Sequence, residues 1–446
     1  MIRLPVFPCV SPRDASVRRV SVWPAVVAGW QGGPVTAARP EPVPTPEPEP
    51  DSATGSPTLT DGVVTLRLHT GADADAVVEQ STDADSLRWT TVPRRYGRED
   101  ALSWIEGNRA AWLTPDGTRS WAIDWVDPED PEGRTRFGGT IDLRPLVRPG
   151  VGELGFGLHP DARGHGVMAR AVRLVLAHAF RDGGWGQPLT RVHWRAVRGN
   201  WGSRRVAWAT GFTPHGTIPG SHPDPTGEAP ALDTWTASIG PGDDTTPAAP
   251  WFEPMVVEAP EAGLRLRPWR LEDAAAIEPR DADPTHWMPV RSVLSTETFP
   301  LWLLVRQERM AEGTAIDWCV ADAATDRALG GVTVFSRVGP MTGDAAELGY
   351  QLFPSARGRG VAKTAARLAT AHAFRAREEG GLGLRRLVAE TAADNAASNA
   401  VLRATGFSSW GREERVDVLA DGAYGDGLHW HLFRDDWIAQ AGRHGG

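Results

Sequence analysis

The chain has 446 residues, with 41% apolar and 23% charged residues and a formal net charge of −9. That length exceeds what one core normally serves and points to two or three globular units, while the acidic balance argues against a nucleic-acid partner, which needs a concentrated basic surface. Cys9 and Cys319 are far apart and unlike any metal-ligand spacing, so neither a disulfide framework nor a metal site is expected, and a reducing cytoplasm is the simplest home.

Taken in chain order, residues 1–60 read as a disordered Pro/Glu-rich extension: ARPEPVPTPEPEPDSATGSP cannot bury enough apolar surface to offset the entropy of ordering. Arg18 and Arg19 precede VSVWPAVVAGW, as in a twin-arginine export signal, but that stretch is short, holds Pro24 and lacks a good cleavage site, so export is not expected. No apolar run approaches the roughly 20 residues that span a bilayer, and no membrane partner is expected. The first patterned region, 61–239, opens on an alternating strand, VVTLRLH. Helical stretches follow, then strands near Ala122–Trp125 and Gly138-Gly139, and a strand ELGFGL from Glu153 that stops at Pro160. ARGHG leads into a helix whose Val167, Ala171, Leu174, Val175 and Ala179 fall at helical spacing. A strand from Arg191, a loop with Asn200, a short helix and Gly211-Phe212 complete the region. Residues 240–258, beginning GPGDDTTPAAP, read as a linker, and 259–446 form a second patterned region.

The second region repeats the first. DADSLRW at Asp83 is echoed at Asp281, AIDW at Ala122 is echoed at Ala315, and ELG at Glu153 returns at Glu347. ARGHGV at Ala162 answers ARGRGV at Ala356, AHAFR recurs at Ala177 and Ala371, and ATGF recurs at Ala209 and Ala404. A period near 190 residues is too long for a solenoid, so the chain is a duplicated domain. Strands interleaved with helices give each copy an α/β (α+β) fold with a mixed sheet.

Each ARGxG sequence places two glycines at the start of a helix. Glycine permits close backbone approach, and the helix start offers unpaired N–H donors and partial positive charge, an arrangement suited to a pyrophosphate. With the strand before it, the helix after it and the Asn-x-x-Ser and Gly-Phe elements downstream, each copy resembles a GNAT-superfamily acetyltransferase, nearest the ribosomal-protein N-acetyltransferase branch. The resemblance implies two tandem domains, each with a splayed central sheet flanked by helices. It implies acetyl-CoA as co-substrate, held by Arg163, Gly164, His165, Gly166 and Val167 in copy one, and by Arg357, Gly358, Arg359, Gly360 and Val361 in copy two. Asn200 and Asn395 would bond the coenzyme arm, Glu153 and Glu347 would act as bases, and Ser203 and Ser398 would donate a proton to the leaving thiolate. The activity implied is direct acetyl transfer to a primary amine, on a protein N-terminus or a small molecule. A CoA- or small-molecule-binding protein with one or both copies non-catalytic is the alternative. The two domains are expected to pack as a pseudo-dimer.

Several positions carry a plainer reading beside the functional one. Asn before Ser at a helix start is a natural cap. His178 and His372 suit helix packing, and Trp89 and Trp287 suit either a core or an acceptor wall. Asp161, Ser355, Arg170 and Thr364 depart from the family pattern, and Trp201 beside Asn200 crowds copy one, so copy two is the nearer match.

Overall fold

A computed structural model describes residues 55–444 except 128, 225, 228–230, 280–293, 342 and 419–422. Most of the Pro/Glu-rich extension, and Trp287 with its DADPTHW motif, lie outside the described residues.

Copy one runs β1 (Leu59–Thr60), β2 (Val64–Arg67), α1 (Ala74–Thr82), α2 (Ala84–Trp89), α3 (Arg98–Ala111), β3 (Arg119–Val126), β4 (Thr135–Pro145) and β5 (Val151–Leu158). It continues through α4 (Val167–Arg181), β6 (Arg191–Val197), α5 (Trp201–Ala209), β7 (Thr213–His222) and β8 (Leu232–Ile239). Copy two runs β9 (Val257–Ala259), β10 (Leu264–Arg267), α6 (Phe299–Ala311), β11 (Ala315–Asp322), β12 (Ala328–Phe335) and β13 (Ala345–Leu352). It ends with α7 (Val361–Phe374), β14 (Arg386–Ala392), α8 (Ala396–Thr405), β15 (Ser408–Val418), β16 (Tyr424–Phe433) and α9 (Arg434–His444).

Among the described residues there are two eight-stranded sheets, ordered β1-β2-β3-β4-β5-β6-β8-β7 and β9-β10-β11-β12-β13-β14-β16-β15. Each is antiparallel except at one junction, β5 with β6 and β13 with β14. A parallel junction needs a crossover, and α4 and α7 supply it. Val167, Ala171, Val175 and Ala179 are buried along α4, as are Val361, Ala365, Ala369 and Ala373 along α7; the small alanines let each helix lie close to its sheet. Both helices pack on the main core of their own copy.

One sequence echo is out of register in space. AIDW at Ala122 and Ala315 suggests that Trp125 and Trp318 are equivalent. Strand pairing instead sets Arg67 opposite Ala122, and Arg267 opposite Cys319. Trp121 therefore corresponds to Trp318: each is fully buried, and each stands edge-on to the helix histidine, His178 at 6.0 Å and His372 at 5.1 Å. Trp125 lies elsewhere, 5.0 Å from the His165 ring. Both histidines are packing groups whose burial lowers their pKa, to about 4 for His372.

The copies touch. Helix α6 of copy two lies on the β6–β8 end of copy one, with Glu308 taking two hydrogen bonds from Arg198 (2.8 and 2.7 Å) and one from Trp235 Nε1 (2.6 Å). Arg204 reaches Glu312 at 3.0 Å, and Leu304 packs on the copy-one core. The stretch read as a linker packs on both: Trp251 contacts Trp201 and Trp208, and the Phe252 N–H donates to the Met310 carbonyl at 3.0 Å.

Candidate active site

In each copy the parallel junction pairs only briefly. Between β5 and β6 it ends at Leu154 with Trp194; between β13 and β14 it ends at Glu347 with Val388. Beyond these points the strands part in a wedge, and the facing backbone edges have no strand partner among the described residues. Backbone groups left unpaired along such an edge are donors and acceptors that a ligand lying against it can satisfy.

Past the open end of the wedge, after β5 and β13 have ended, each crossover helix begins on a glycine turn. Gly164 and Gly166 have φ of 82° and 72°, and Gly358 and Gly360 have φ of 71° and 78°, values at which side chains are strained. Among the described residues, no atom beyond the chain neighbours lies within 4 Å of where a Cβ would stand at any of the four, so the turn backbone is open to a ligand. Val167 and Val361 are buried while His165 and Arg359 are exposed. The helix-start N–H groups behind them lack intrahelical acceptors. The chemistry fits a diphosphate. Each arginine bonds the carbonyl that ends the preceding strand, Arg163 that of Leu158 at 3.5 Å and Arg357 that of Leu352 at 3.3 Å, and Arg163 also pairs with Asp83 (2.5 Å) and Asp85 (3.1 Å).

Asn200 and Asn395 cap α5 and α8, each accepting from the backbone N–H of the serine three residues on, at 3.1 and 3.0 Å. The capping reading of these positions is therefore observed directly. The serines themselves differ in company. Ser203 Oγ accepts from Trp194 Nε1 at 3.1 Å, while Ser398 Oγ lies 2.9 Å from the Tyr350 hydroxyl. Tyr350 is replaced by Phe156 in copy one, and burial pushes its phenol up to about 12.

The two glutamates also part company. Glu153 receives two hydrogen bonds from Arg195 (2.7 and 3.2 Å) and has Arg144 at 3.9 Å. Glu347 accepts from Arg337 at 2.7 Å, but Glu390 stands where copy one has Arg195 and shares that arginine at 3.0 Å. Burial drives the Glu347 carboxyl up to about 7; Arg337 opposes the rise and Glu390 adds to it. Sequence reasoning named both glutamates but missed Tyr350, Arg195, Arg337 and Glu390. The strings ELGF against ELGY and VHWRA against LVAET mark Tyr350, Arg195 and Glu390 as positions where the copies differ, but they do not report which side chains those residues meet, and Arg337 lies in neither string. Trp89 lies near Gly199, with its ring edge about one van der Waals contact from the glycine's Cβ direction. Among the described residues no group of three or more His, Cys, Asp and Glu is placed to hold a metal, and no helix is long and apolar enough to cross a membrane.

A mixed sheet that splits beside its one parallel junction, with a glycine turn opening the crossover helix, defines an acetyltransferase of the GNAT fold. The acetyltransferase (GNAT) domain family matches residues 64–213 and 263–408, and the chain belongs to that family twice over. Solved structures similar to it include a ribosomal-protein-S5-alanine acetyltransferase from Vibrio fischeri, at 21% identity over 41% of this chain and 99% of that one, with a TM-score of 0.33. A microcin C7 self-immunity acetyltransferase in complex with acetyl-CoA and AMP matches at 15% identity over 40% and 93%, with a TM-score of 0.35. A ribosomal L7/L12 alpha-N-protein acetyltransferase in complex with coenzyme A matches at 16% over 41% and 97%, also at 0.35. No curated protein matches the chain.

Proposed function

We propose that the chain is an acetyl-CoA-dependent N-acetyltransferase in which copy two performs the transfer to a primary amine and copy one is a non-catalytic partner that keeps the coenzyme-binding turn. The observation that carries this reading is the contrast at the closed end of the wedge, where the strands still pair. Glu347 is poised near neutrality, as a general base should be, while Glu153 is clamped by arginines.

In the proposed reaction the free amine attacks the thioester carbonyl carbon, forming a C–N bond. Collapse of the tetrahedral adduct breaks the C–S bond and releases the thiolate. Glu347 takes the proton from the amine nitrogen, directly or through water, and the Tyr350–Ser398 hydroxyl pair returns one to sulfur. The turns Arg357–Val361 and Arg163–Val167 would hold the diphosphate, with Asn395 and Asn200 alongside the coenzyme arm. Proteins of this fold captured with acetyl-CoA or coenzyme A support the co-substrate. Copy one has Phe156 in place of Tyr350, so the hydroxyl pair is missing there, and its Ser203 Oγ accepts from the Trp194 indole N–H instead.

Release of free thiol from acetyl-CoA against a panel of primary amines tests the reading. Glu347→Gln is expected to abolish turnover and Glu153→Gln to leave it largely intact. Equal loss in both variants would show two working copies, and coenzyme binding without consumption of any amine would leave a binding protein.

A further inference from the structure

Copy two holds a cavity on the α6 side of its sheet, floored by β11, β12 and β13 and roofed by Trp269 and Trp302. Its floor is set by strand register. Asp317 pairs with Thr333, and Thr333 with Gly349, making one transverse row; the adjacent row is Ala315, Phe335 and Glu347. Residues two apart on a strand share a face, so the Glu347 carboxyl projects on the same side as Asp317 and Thr333, one row along.

The floor carries two buried polar atoms with no hydrogen-bond partner among the described residues, Asp317 Oδ2 and Thr333 Oγ1. They belong to cross-strand neighbours. Asp317 Oδ1 is bound to Arg306 at 2.5 Å, which balances its charge and leaves the second oxygen as an acceptor. Buried polar groups left without partners are costly and rare, and two adjacent ones beneath an aromatic roof mark a place where a ligand completes the bonding. Copy one shows the finished alternative. Its equivalent row is Ser120, Asp142 and Gly155; the Ser120 hydroxyl donates to Asp142 at 2.7 Å, and the Arg144 guanidinium fills the space over Gly155.

Resting on the assignment of transfer to copy two, we propose that its acceptor is an amino alcohol whose hydroxyl, about 7 Å from the reacting amine, seats on Asp317 and Thr333. One hydroxyl answers both orphans, donating to Asp317 Oδ2 and accepting from the Thr333 O–H. A second ammonium would bring charge that Arg306 has already balanced. Trp269 and Trp302 cover the apolar chain joining the two ends.

The test uses the full-length protein with 5-amino-1-pentanol, its methyl isostere hexylamine and 1,5-diaminopentane, each followed by calorimetric binding and by acetyl-CoA turnover. Aminopentanol is expected to bind at least ten-fold more tightly than hexylamine, because a site built to pair a hydroxyl rejects an analogue without one. Thr333→Val keeps the shape of the side chain and removes one orphan, so it should fold at least as stably while the ten-fold ratio falls toward one. Equal binding of aminopentanol and hexylamine, a ratio unchanged in Thr333→Val, or preference for the diamine would each overturn the assignment. Selective binding of aminopentanol without its acetylation would uphold the pocket and refute the transferase reading.

Discussion

The contact between the copies can be broken at one residue. Glu308 on α6 is largely buried, its side chain 14% exposed, and it neutralises Arg198 and Arg204 while accepting from Trp235. Glu308→Ala leaves two arginines facing each other without their shared carboxylate. Removing one partner of a buried ion pair costs about 3–5 kcal/mol; Arg198 is 20% exposed, and water recovers part of that, giving roughly 2–4 kcal/mol. With about 2–4 °C per kcal/mol for units of this size, the unfolding midpoint should fall by roughly 5–15 °C. Scanning calorimetry of the full chain would measure it, and the variant trace should separate toward two transitions as the copies uncouple. The double variant Arg198→Ala/Glu308→Ala should lose less than the sum of the single changes, because the second deletion removes a charge the first had orphaned. A midpoint shift under 1 °C, or strict additivity, would refute the view that this carboxylate holds the copies together.

Three further outcomes follow from the site. Because burial raises the Glu347 carboxyl to about 7, transfer should increase with pH through that value as the base ionises. Folding takes up a proton there, so this group's contribution to stability is present below the ordinary carboxylate pKa and is lost as pH rises through 7; Glu347→Gln should be inactive yet gain stability relative to the parent at pH 8, measured by thermal melts at pH 5 and 8. Tyr350→Phe, which copies the copy-one residue, should lower kcat by about 100-fold, the low end of the range for general acid–base effects, with coenzyme affinity retained in a titration. Gly360→Ala has room for its methyl group but must adopt a φ of 78°, at a cost of about 1 kcal/mol; coenzyme A binding by calorimetry should weaken while the fold survives.

The duplication, the fold and the glycine turns were legible because each is a local string with a physical meaning: a strand that stops at proline, then glycines, then an alanine-striped helix. Equivalence along β3 and β11 was not legible. Identical letters at Ala122 and Ala315 outweighed the register, which is fixed by pairing to β2 and β10 and by bulges at Ile123 and Val320. The state of the two glutamates was equally hidden, since it depends on which side chain a neighbouring strand brings across the junction: Arg195 in one copy, Glu390 in the other. Such contacts join residues some 40 positions apart, and no periodicity reports them.

The meeting of the copies joins unlike surfaces: a helix from the second against strand ends from the first. A head-to-tail contact of that kind can in principle recur without limit, each unit offering its free end to the next and building a fibre. Here the series is terminated by composition. Where copy one has Arg198 and Arg204, copy two has Ala393 and Asn399, the latter already engaged with Thr391. A third helix carrying the same carboxylate would therefore not meet on copy two the cationic socket that Glu308 fills on copy one.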